Sequence, residues 1–276
     1  MNTDCYFGIG STHKICQDYA IAANGLIIVS DGCSTAVHSD FGSRLLTKAA
    51  EDHVYRGYRD DLMLHGVIRT AEVFCKSLSL PVEALSATLL IGKIENNCFS
   101  ILCVGDGVIA AQHRSGELFI YDYKYVSGAP YYLRYELEEN VKESYLNKFG
   151  GEVIQTTYVI AVNGHVSKYI EKRDISKYIK KDIYEQWEQP FFKETFPLDD
   201  FESIALFSDG VCSFVRQELT ETSKQNIEVP VYEVIKELYN FKGYNGAFVQ
   251  RRCQKALRAM KNTQHIDDFS MAVIHV

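Results

Sequence analysis

Residues 26–33 read L-I-I-V-S-D-G-C, an apolar run that ends on an aspartate and a glycine. A close copy, I-A-L-F-S-D-G-V, occurs at residues 204–211. Short continuous apolar runs that are bounded by a turn signal are typical of buried β-strands. Both stretches therefore predict a strand with a carboxylate at its end, at Asp31 and at Asp209.

Further aspartates border other apolar runs: Asp18 in C-Q-D-Y, Asp106 in G-D-G, and Asp267 and Asp268 in I-D-D-F-S. A single strand-end aspartate is usually a turn former or a helix cap. Several carboxylates at one sheet edge would repel one another and take up protons unless a cation is present. Because oxygen ligands suit Mg²⁺ or Mn²⁺ better than zinc, the pattern predicts a site for hard divalent ions.

The composition is that of an ordinary globular protein of 276 residues, with 46% hydrophobic and 24% charged residues. The net charge of −7 and the absence of a long basic run argue against nucleic acid as a partner. The sequence contains neither a signal-peptide pattern at its start nor an apolar run long enough for a membrane span, so we expect a cytoplasmic protein that does not bind membranes. Eight scattered cysteines without a C-x-x-C pair are expected to be reduced thiols.

Apolar patterns along the chain predict one α+β domain over residues 1–276. Strands are predicted at 5–9, 19–22, 26–30, 87–94, 98–104, 108–114, 117–121, 145–149, 154–162, 204–207 and 269–276. Helices are predicted at 39–59, 60–77, 211–222, 230–241 and 247–260. The charged and aromatic segment 164–200 reads as helix and loop. This order favours antiparallel sheets covered by helices over an alternating parallel α/β fold.

Six motifs in order resemble those of the metal-dependent protein phosphatase family (PPM, type 2C), in particular its compact bacterial branch. They are G-S-T-H-K-I-C-Q-D-Y-A, V-S-D-G, S-A-T-L-L-I, V-G-D-G, L-F-S-D-G-V and I-D-D-F-S-M-A-V-I, and they extend over residues 10–274. Each motif is weak alone, but their order and separations make the set specific. The resemblance implies a four-layer α-β-β-α sandwich of two mainly antiparallel sheets flanked by helices.

The resemblance also implies a set of ligands for two Mn²⁺ or Mg²⁺ ions. By this likeness Asp31 bridges the two ions, and the backbone carbonyl of Gly32 joins the second ion. Asp209 and Asp267 hold the first ion. Glycine at position 32 is expected to let its carbonyl face the ion, because it has no side chain in the way.

Other positions match the family's pattern with supporting roles. Asp18 acts through water, and Asp106 looks like the residue that takes part in a third, weaker ion site. Gln17 stands where the family often has an acidic residue, and Asp268 matches a supporting Asn or Asp. His13 stands where many members have an arginine that clamps the substrate phosphate, and it is either a partial replacement or a turn histidine.

The implied activity is hydrolysis of phosphoserine or phosphothreonine in proteins, for signalling, by direct attack of a water that bridges the two ions. No phosphoenzyme is expected, and no C-x5-R phosphate loop is present. The implied partners are a phosphorylated protein and a cognate kinase. Two alternatives stay open: a catalytically weak relative that binds phosphoproteins as a regulatory module, and a hydrolase of small phosphoesters.

Overall fold

The computed structural model of the protein describes residues 1–57, 59–175, 191–219, 224–260 and 262–276. Within these residues the chain forms three antiparallel sheets and a set of helices. None of the helices in the described ranges combines the length and the apolar character that a membrane span requires.

The largest sheet has seven strands in the order β1-β15-β11-β6-β7-β8-β9, and all neighbours are antiparallel. In that order they are Asn2–Gly8, Phe269–His275, Phe201–Phe207, Gly107–His113, Leu118–Tyr125, Glu152–Ile160 and Val166–Asp174. The two strands that end or begin at candidate ligands, β11 and β15, lie side by side near the middle of the sheet.

A second sheet has five strands in the order β10-β5-β4-β3-β2. They are Phe192–Pro197, Cys98–Val104, Leu89–Glu95, Leu26–Ser30 and Tyr19–Ala23. The hairpin between β4 and β5 turns at Asn96 and Asn97, whose φ angles of 49° and 60° fit the left-handed conformation of a tight turn, as the sequence predicts. A small third sheet, not predicted from the sequence, has the order β13-β12-β14 and comprises Lys224–Glu228, Phe214–Leu219 and Thr263–His265.

The described residues also form three short 3₁₀ helices, Val82–Leu85, Leu133–Leu137 and Asp209–Cys212, and five α-helices: α1 Ser39–Val54, α2 Asp60–Ser77, α3 Glu139–Phe149, α4 Val231–Leu238 and α5 Phe248–Ala259. Three hydrophobic cores lie between the layers. The first lies between the two main sheets, the second between α1, α2 and the five-stranded sheet, and the third between α4, α5 and the seven-stranded sheet. The predicted four-layer α-β-β-α sandwich is therefore confirmed.

Two element predictions are wrong. In the helix predicted at 211–222, residues up to 219 form the end of a short 3₁₀ turn, Asp209–Cys212, and the strand β12, because Phe214 and Val215 pair with β14 and pack into the core. Residues 220–222 lie outside the described residues. The strand predicted at 145–149 is the last part of α3, in which Tyr145 is buried and the helix ends at Gly150. In both places the apolar residues are too few to fix a period without their tertiary partners.

The segment 164–200 also differs from its prediction. Residues 166–174, expected to be helical, form the edge strand β9, whose nine residues all pair with β8. Residues 192–197 form β10, which pairs with β5 at the edge of the five-stranded sheet. Charged residues are compatible with an edge strand because many of its side chains face solvent. Residues 176–190 of this segment lie outside the described residues.

Candidate metal centre

The aspartates predicted from the sequence lie at the edge where the two main sheets meet. Asp18 immediately precedes β2 and Asp31 follows β3, so both come from the five-stranded sheet. Asp209 begins the turn after β11 and Asp267 lies just before β15, so both come from the seven-stranded sheet. Asp106 lies in the turn that takes the chain from β5 in one sheet to β6 in the other. The fold thus brings together residues that are distant in sequence.

The backbone around Asp31 is fixed by the neighbouring strand. Asp31 N donates to Thr88 Oγ1 at 3.1 Å, and Thr88 N donates to the Asp31 carbonyl at 2.9 Å. The Asp31 carboxylate lies beside those of Asp18 and Asp209. Burial raises the pKa of Asp31 well above its usual value, and the negative charges of Asp18 and Asp209 raise it further.

Asp18 is fully buried, and neither of its carboxylate oxygens has a hydrogen-bond partner among the described residues. It lies close to Asp31, Ser208 and Ser270. Burial raises the pKa of Asp18, with Asp209 contributing a further unfavourable charge. A buried carboxylate whose oxygens lack partners is costly for a fold to keep unless a cation compensates it.

Asp209 and Asp106 extend the cluster toward the centre of the seven-stranded sheet. Asp209 Oδ1 is buried and has no hydrogen-bond partner in the described part of the chain. Burial raises the pKa of Asp106 well above its usual value, and the charge of Asp209 adds to this effect. The four carboxylates of Asp18, Asp31, Asp106 and Asp209 therefore form one electrostatically coupled group.

Asp267 is the most exposed of the predicted ligands, with 45% of its side chain accessible. Burial raises its pKa, followed by the charge of Asp209. His13 contacts this carboxylate, with Nε2 3.3 Å from Asp267 Oδ1. Asp267 therefore interacts with the carboxylate group through the charge of Asp209, and it also forms an ion pair with His13.

Asp268 fixes the loop that contains His13 and Gln17. Its carboxylate is buried and accepts hydrogen bonds from Gly10 N and Gln17 N, both at 2.6 Å. His13 Nδ1 lies 3.0 Å from Asp268 Oδ2, a charge contact whose geometry falls short of a hydrogen bond. This contact with Asp268 raises the pKa of His13, against a smaller opposing effect of burial.

Gln17 and Gly32 contact the N-terminus of helix α1 next to the site. Gln17 Nε2 donates to Ser39 Oγ at 2.6 Å, so the side-chain amide ties this loop to the helix. Gly32 N donates to the Gln17 carbonyl at 3.3 Å. A Cβ at position 32 would lie 2.6 Å from the Ser39 carbonyl oxygen and 2.9 Å from that of Gln17. Glycine is required at position 32 because three backbone segments meet there.

The donor set fits hard divalent ions in three respects: its charged groups are carboxylates, several of their buried oxygens lack partners, and burial disfavours their charged forms. Within the described ranges, no group of three or more His, Cys, Asp or Glu side chains could hold an ion by itself. Mg²⁺ and Mn²⁺ also accept carbonyl and water oxygens as ligands.

Two residues beside the cluster were not predicted from the sequence. Asp122 in β7 is buried, and Cys212 Sγ donates to its Oδ1 at 4.0 Å. Lys124 Nζ lies 3.3 Å from Asp122 Oδ2. The signal that could have identified them is the alternation along β7, in which Asp122 and Lys124 continue the face of the buried Leu118 and Ile120.

Residues 11–123 match the family model for protein phosphatase 2C. A sequence search of curated proteins gave no match. Among solved structures, the serine/threonine phosphatase Stp1 from Staphylococcus aureus is 11% identical, with a TM-score of 0.54 over 100% of this chain and 95% of that one.

Two further structures are similar over nearly all of both chains. PppA from Pseudomonas aeruginosa is 16% identical, with a TM-score of 0.52 over 99% of this chain and 97% of that one. The serine/threonine phosphatase PstP/Ppp from Mycobacterium tuberculosis is 15% identical, with a TM-score of 0.52 and the same coverage. The resemblance found in the sequence is therefore confirmed: residues 11–123 match the protein phosphatase 2C family, and the chain as a whole has the fold of these bacterial phosphatases.

Proposed function

We propose that the protein is an Mn²⁺- or Mg²⁺-dependent phosphatase that hydrolyses phosphoserine or phosphothreonine in proteins. The observation that carries the proposal is the coupled group of carboxylates at the edge of both main sheets, with buried oxygens on Asp18 and Asp209 that lack partners. A fold that keeps such a group gains from binding cations there. The match to protein phosphatase 2C supports the same activity.

In this proposal Asp31, Gly32, Asp209 and Asp267 hold two ions, while Asp106 contributes to a third, weaker site. When bound, such ions lower the pKa of water and neutralise charge on a phosphoryl group. The protein's part is to fix the carboxylates at strand ends, where the backbone of both sheets limits their movement.

The residues around these ligands orient them. Asp268 holds the loop that contains Gln17 and His13, through two short hydrogen bonds to backbone N–H groups. His13 is placed to donate a hydrogen bond at the mouth of the site, but two carboxylates already engage it. Asp18 is fully buried next to Asp31, and by the resemblance to the family it would act through water.

Substrate and cellular setting are parts of the same proposal. Stp1 and PstP/Ppp are described as serine/threonine phosphatases, which supports phosphorylated proteins as the substrate class. A kinase that phosphorylates the same substrate is the expected partner. We propose a cytoplasmic location, where such phosphoproteins are found.

The test is hydrolysis of para-nitrophenyl phosphate and of a phosphothreonine peptide with Mn²⁺ and with a chelator. Asp209→Asn is expected to lower kcat/KM by at least about 100-fold, because even indirect supports of metal ligands cost 10- to 100-fold when changed. Asp52→Asn, an exposed change on α1, is the matched control and should leave kcat/KM unchanged. Activity that survives chelation, or equal activity in both variants, would contradict the proposal.

A phosphoprotein-binding module is the second candidate, and specific observations favour it. Gln17 replaces an acidic residue and uses its amide to hold Ser39, while His13 is engaged by Asp267 and Asp268. Both features reduce the groups available for catalysis. Binding of a phosphothreonine peptide by the wild-type protein without turnover under Mn²⁺ or Mg²⁺ would favour this function over the first.

A further inference from the structure

Lys124 lies beside the carboxylate group, at the same edge of the seven-stranded sheet. Gly107 of β6 pairs with Tyr123 of β7. Asp106 lies in the turn one residue before Gly107, and Lys124 lies in β7 one residue after Tyr123. The register therefore brings the lysine next to the turn that contains a predicted ligand.

Contacts through Asp122 and Cys212 connect Lys124 to the turn that begins at Asp209. Its Nζ lies 3.3 Å from Oδ2 of the buried Asp122, whose Oδ1 accepts from Cys212 Sγ at 4.0 Å. Cys212 is the last residue of the 3₁₀ turn Asp209–Cys212. The side chain of Lys124 remains 52% exposed, so its ammonium is available to a bound molecule.

Two basic side chains lie near the site carboxylates. His13 contacts Asp267, and it is also engaged by the buried Asp268. Lys124 contacts the buried Asp122 and lies on β7, the strand that pairs with β6 directly after Asp106. Of the two, Lys124 has the permanent charge, and among the described residues it forms an ion pair with Asp122 alone, whereas His13 contacts two carboxylates.

We propose that Lys124 binds the phosphoryl group of the substrate. This inference rests on the proposed phosphatase function and names a substrate-binding residue for it. A lysine ammonium binds phosphate as a point charge, so it needs no two-pronged alignment. The contact with Asp122 restrains the long side chain, which stays half exposed to solvent.

The test compares Lys124→Met, Lys124→Arg and the matched control Lys168→Met in the Mn²⁺-loaded protein. Lys168 lies on the same sheet face, with Nζ 5.6 Å from the Tyr158 ring, but on β9, two strands farther from the site. Inorganic phosphate is the probe, measured by calorimetry, and KM and kcat are measured with para-nitrophenyl phosphate.

We expect Lys124→Met to raise the phosphate Kd and the KM about 10-fold, which corresponds to about 1.4 kcal/mol, with a smaller effect on kcat. Lys124→Arg should stay within about threefold and Lys168→Met within about twofold of the wild type, because charge at this position is what matters. A Kd and KM for Lys124→Met within twofold of the wild type would overturn the proposal, as would wild-type protein that binds no phosphate.

Asp122→Asn separates phosphate binding from a purely structural ion pair. It removes the partner charge but keeps the ammonium, so we expect at most about a threefold change in phosphate Kd. Equal losses in Asp122→Asn and Lys124→Met, with equally lowered Tm, would assign Lys124 a structural role. Absence of Mn²⁺-dependent turnover in the wild type would contradict the phosphatase function, whereas the calorimetric measurement still decides the role of Lys124.

Discussion

Gly210 lets the turn after β11 lie directly against the backbone of Asp268. A Cβ at position 210 would lie 1.7 Å from the Asp268 carbonyl oxygen and 3.1 Å from Phe269 Cα. Both neighbours are backbone atoms, so a side chain cannot be accommodated by a rotamer change. This contact sets the separation between the Asp209 turn and the segment that contains Asp267.

Gly210→Ala is therefore expected to destabilise the protein by about 1–3 kcal/mol, the usual range for overpacking, and to reduce Mn²⁺-dependent activity. Gly243→Ala is the matched control, because nothing lies within 4 Å of a Cβ at that position. Its effect on the free energy of unfolding should stay within about 0.5 kcal/mol. Denaturant unfolding of both variants measures the difference, and equal stabilities would contradict the packing argument.

At the level of elements, α1 and α2 pack through a histidine and a glycine. His53 of α1 is nearly buried, and its Nε2 lies 2.9 Å from Thr70 Oγ1 of α2. A Cβ at Gly66 of α2 would lie 2.5 Å from the His53 ring. The ring thus occupies the space that the missing side chain of Gly66 leaves open.

Gly66→Ala should destabilise the wild-type protein by about 1–3 kcal/mol, because the added methyl group meets the ring. In a His53→Ala background the same change should be neutral or stabilising by up to about 1 kcal/mol, since alanine is the better helix former. The free energies of unfolding of the four proteins give the coupling. A value for Gly66→Ala that is the same in both backgrounds would show that the two residues do not interact.

Elements inside the sheets could be predicted from the sequence more reliably than those at the margins. Leu26–Ser30 and Cys98–Val104 are found where they were predicted, because burial on both faces gives a continuous apolar run. Phe214–Leu219 and Val166–Asp174 were predicted as helical, because their charged residues hide the alternation of a strand. Their conformation follows from pairing with β14 and β8, which local sequence does not specify.

The candidate site shows the same division. Asp31 and Asp209 were predicted as a pair because each follows a recognisable strand. Lys124 and Asp122 lie within a strand whose end was predicted too early, so their position beside Cys212 could not be inferred. The engagement of His13 by two carboxylates depends on how the loop before β2 folds back over residues 265–268, which is a tertiary property.

For the whole molecule, bound ions should stabilise the fold, because their ligands come together only in the native state. At a free Mn²⁺ concentration 100 times the Kd, the gain is about 2.7 kcal/mol. We expect a rise in Tm of roughly 5 °C or more for the wild type and for Asp52→Asn. The rise should be absent or much smaller in Asp209→Asn, as measured by calorimetry. A rise in Asp209→Asn equal to that of the wild type would place the ions elsewhere.

β15 lies between β1 and β11, with Asn2 opposite His275 and Ile204 opposite Ile274. During translation β15 emerges after every other described strand, so β1 cannot pair with it until synthesis has passed position 275. Such distant pairing slows folding. Until β15 is in place the seven-stranded sheet is unfinished, and nothing holds Asp267 beside Asp209.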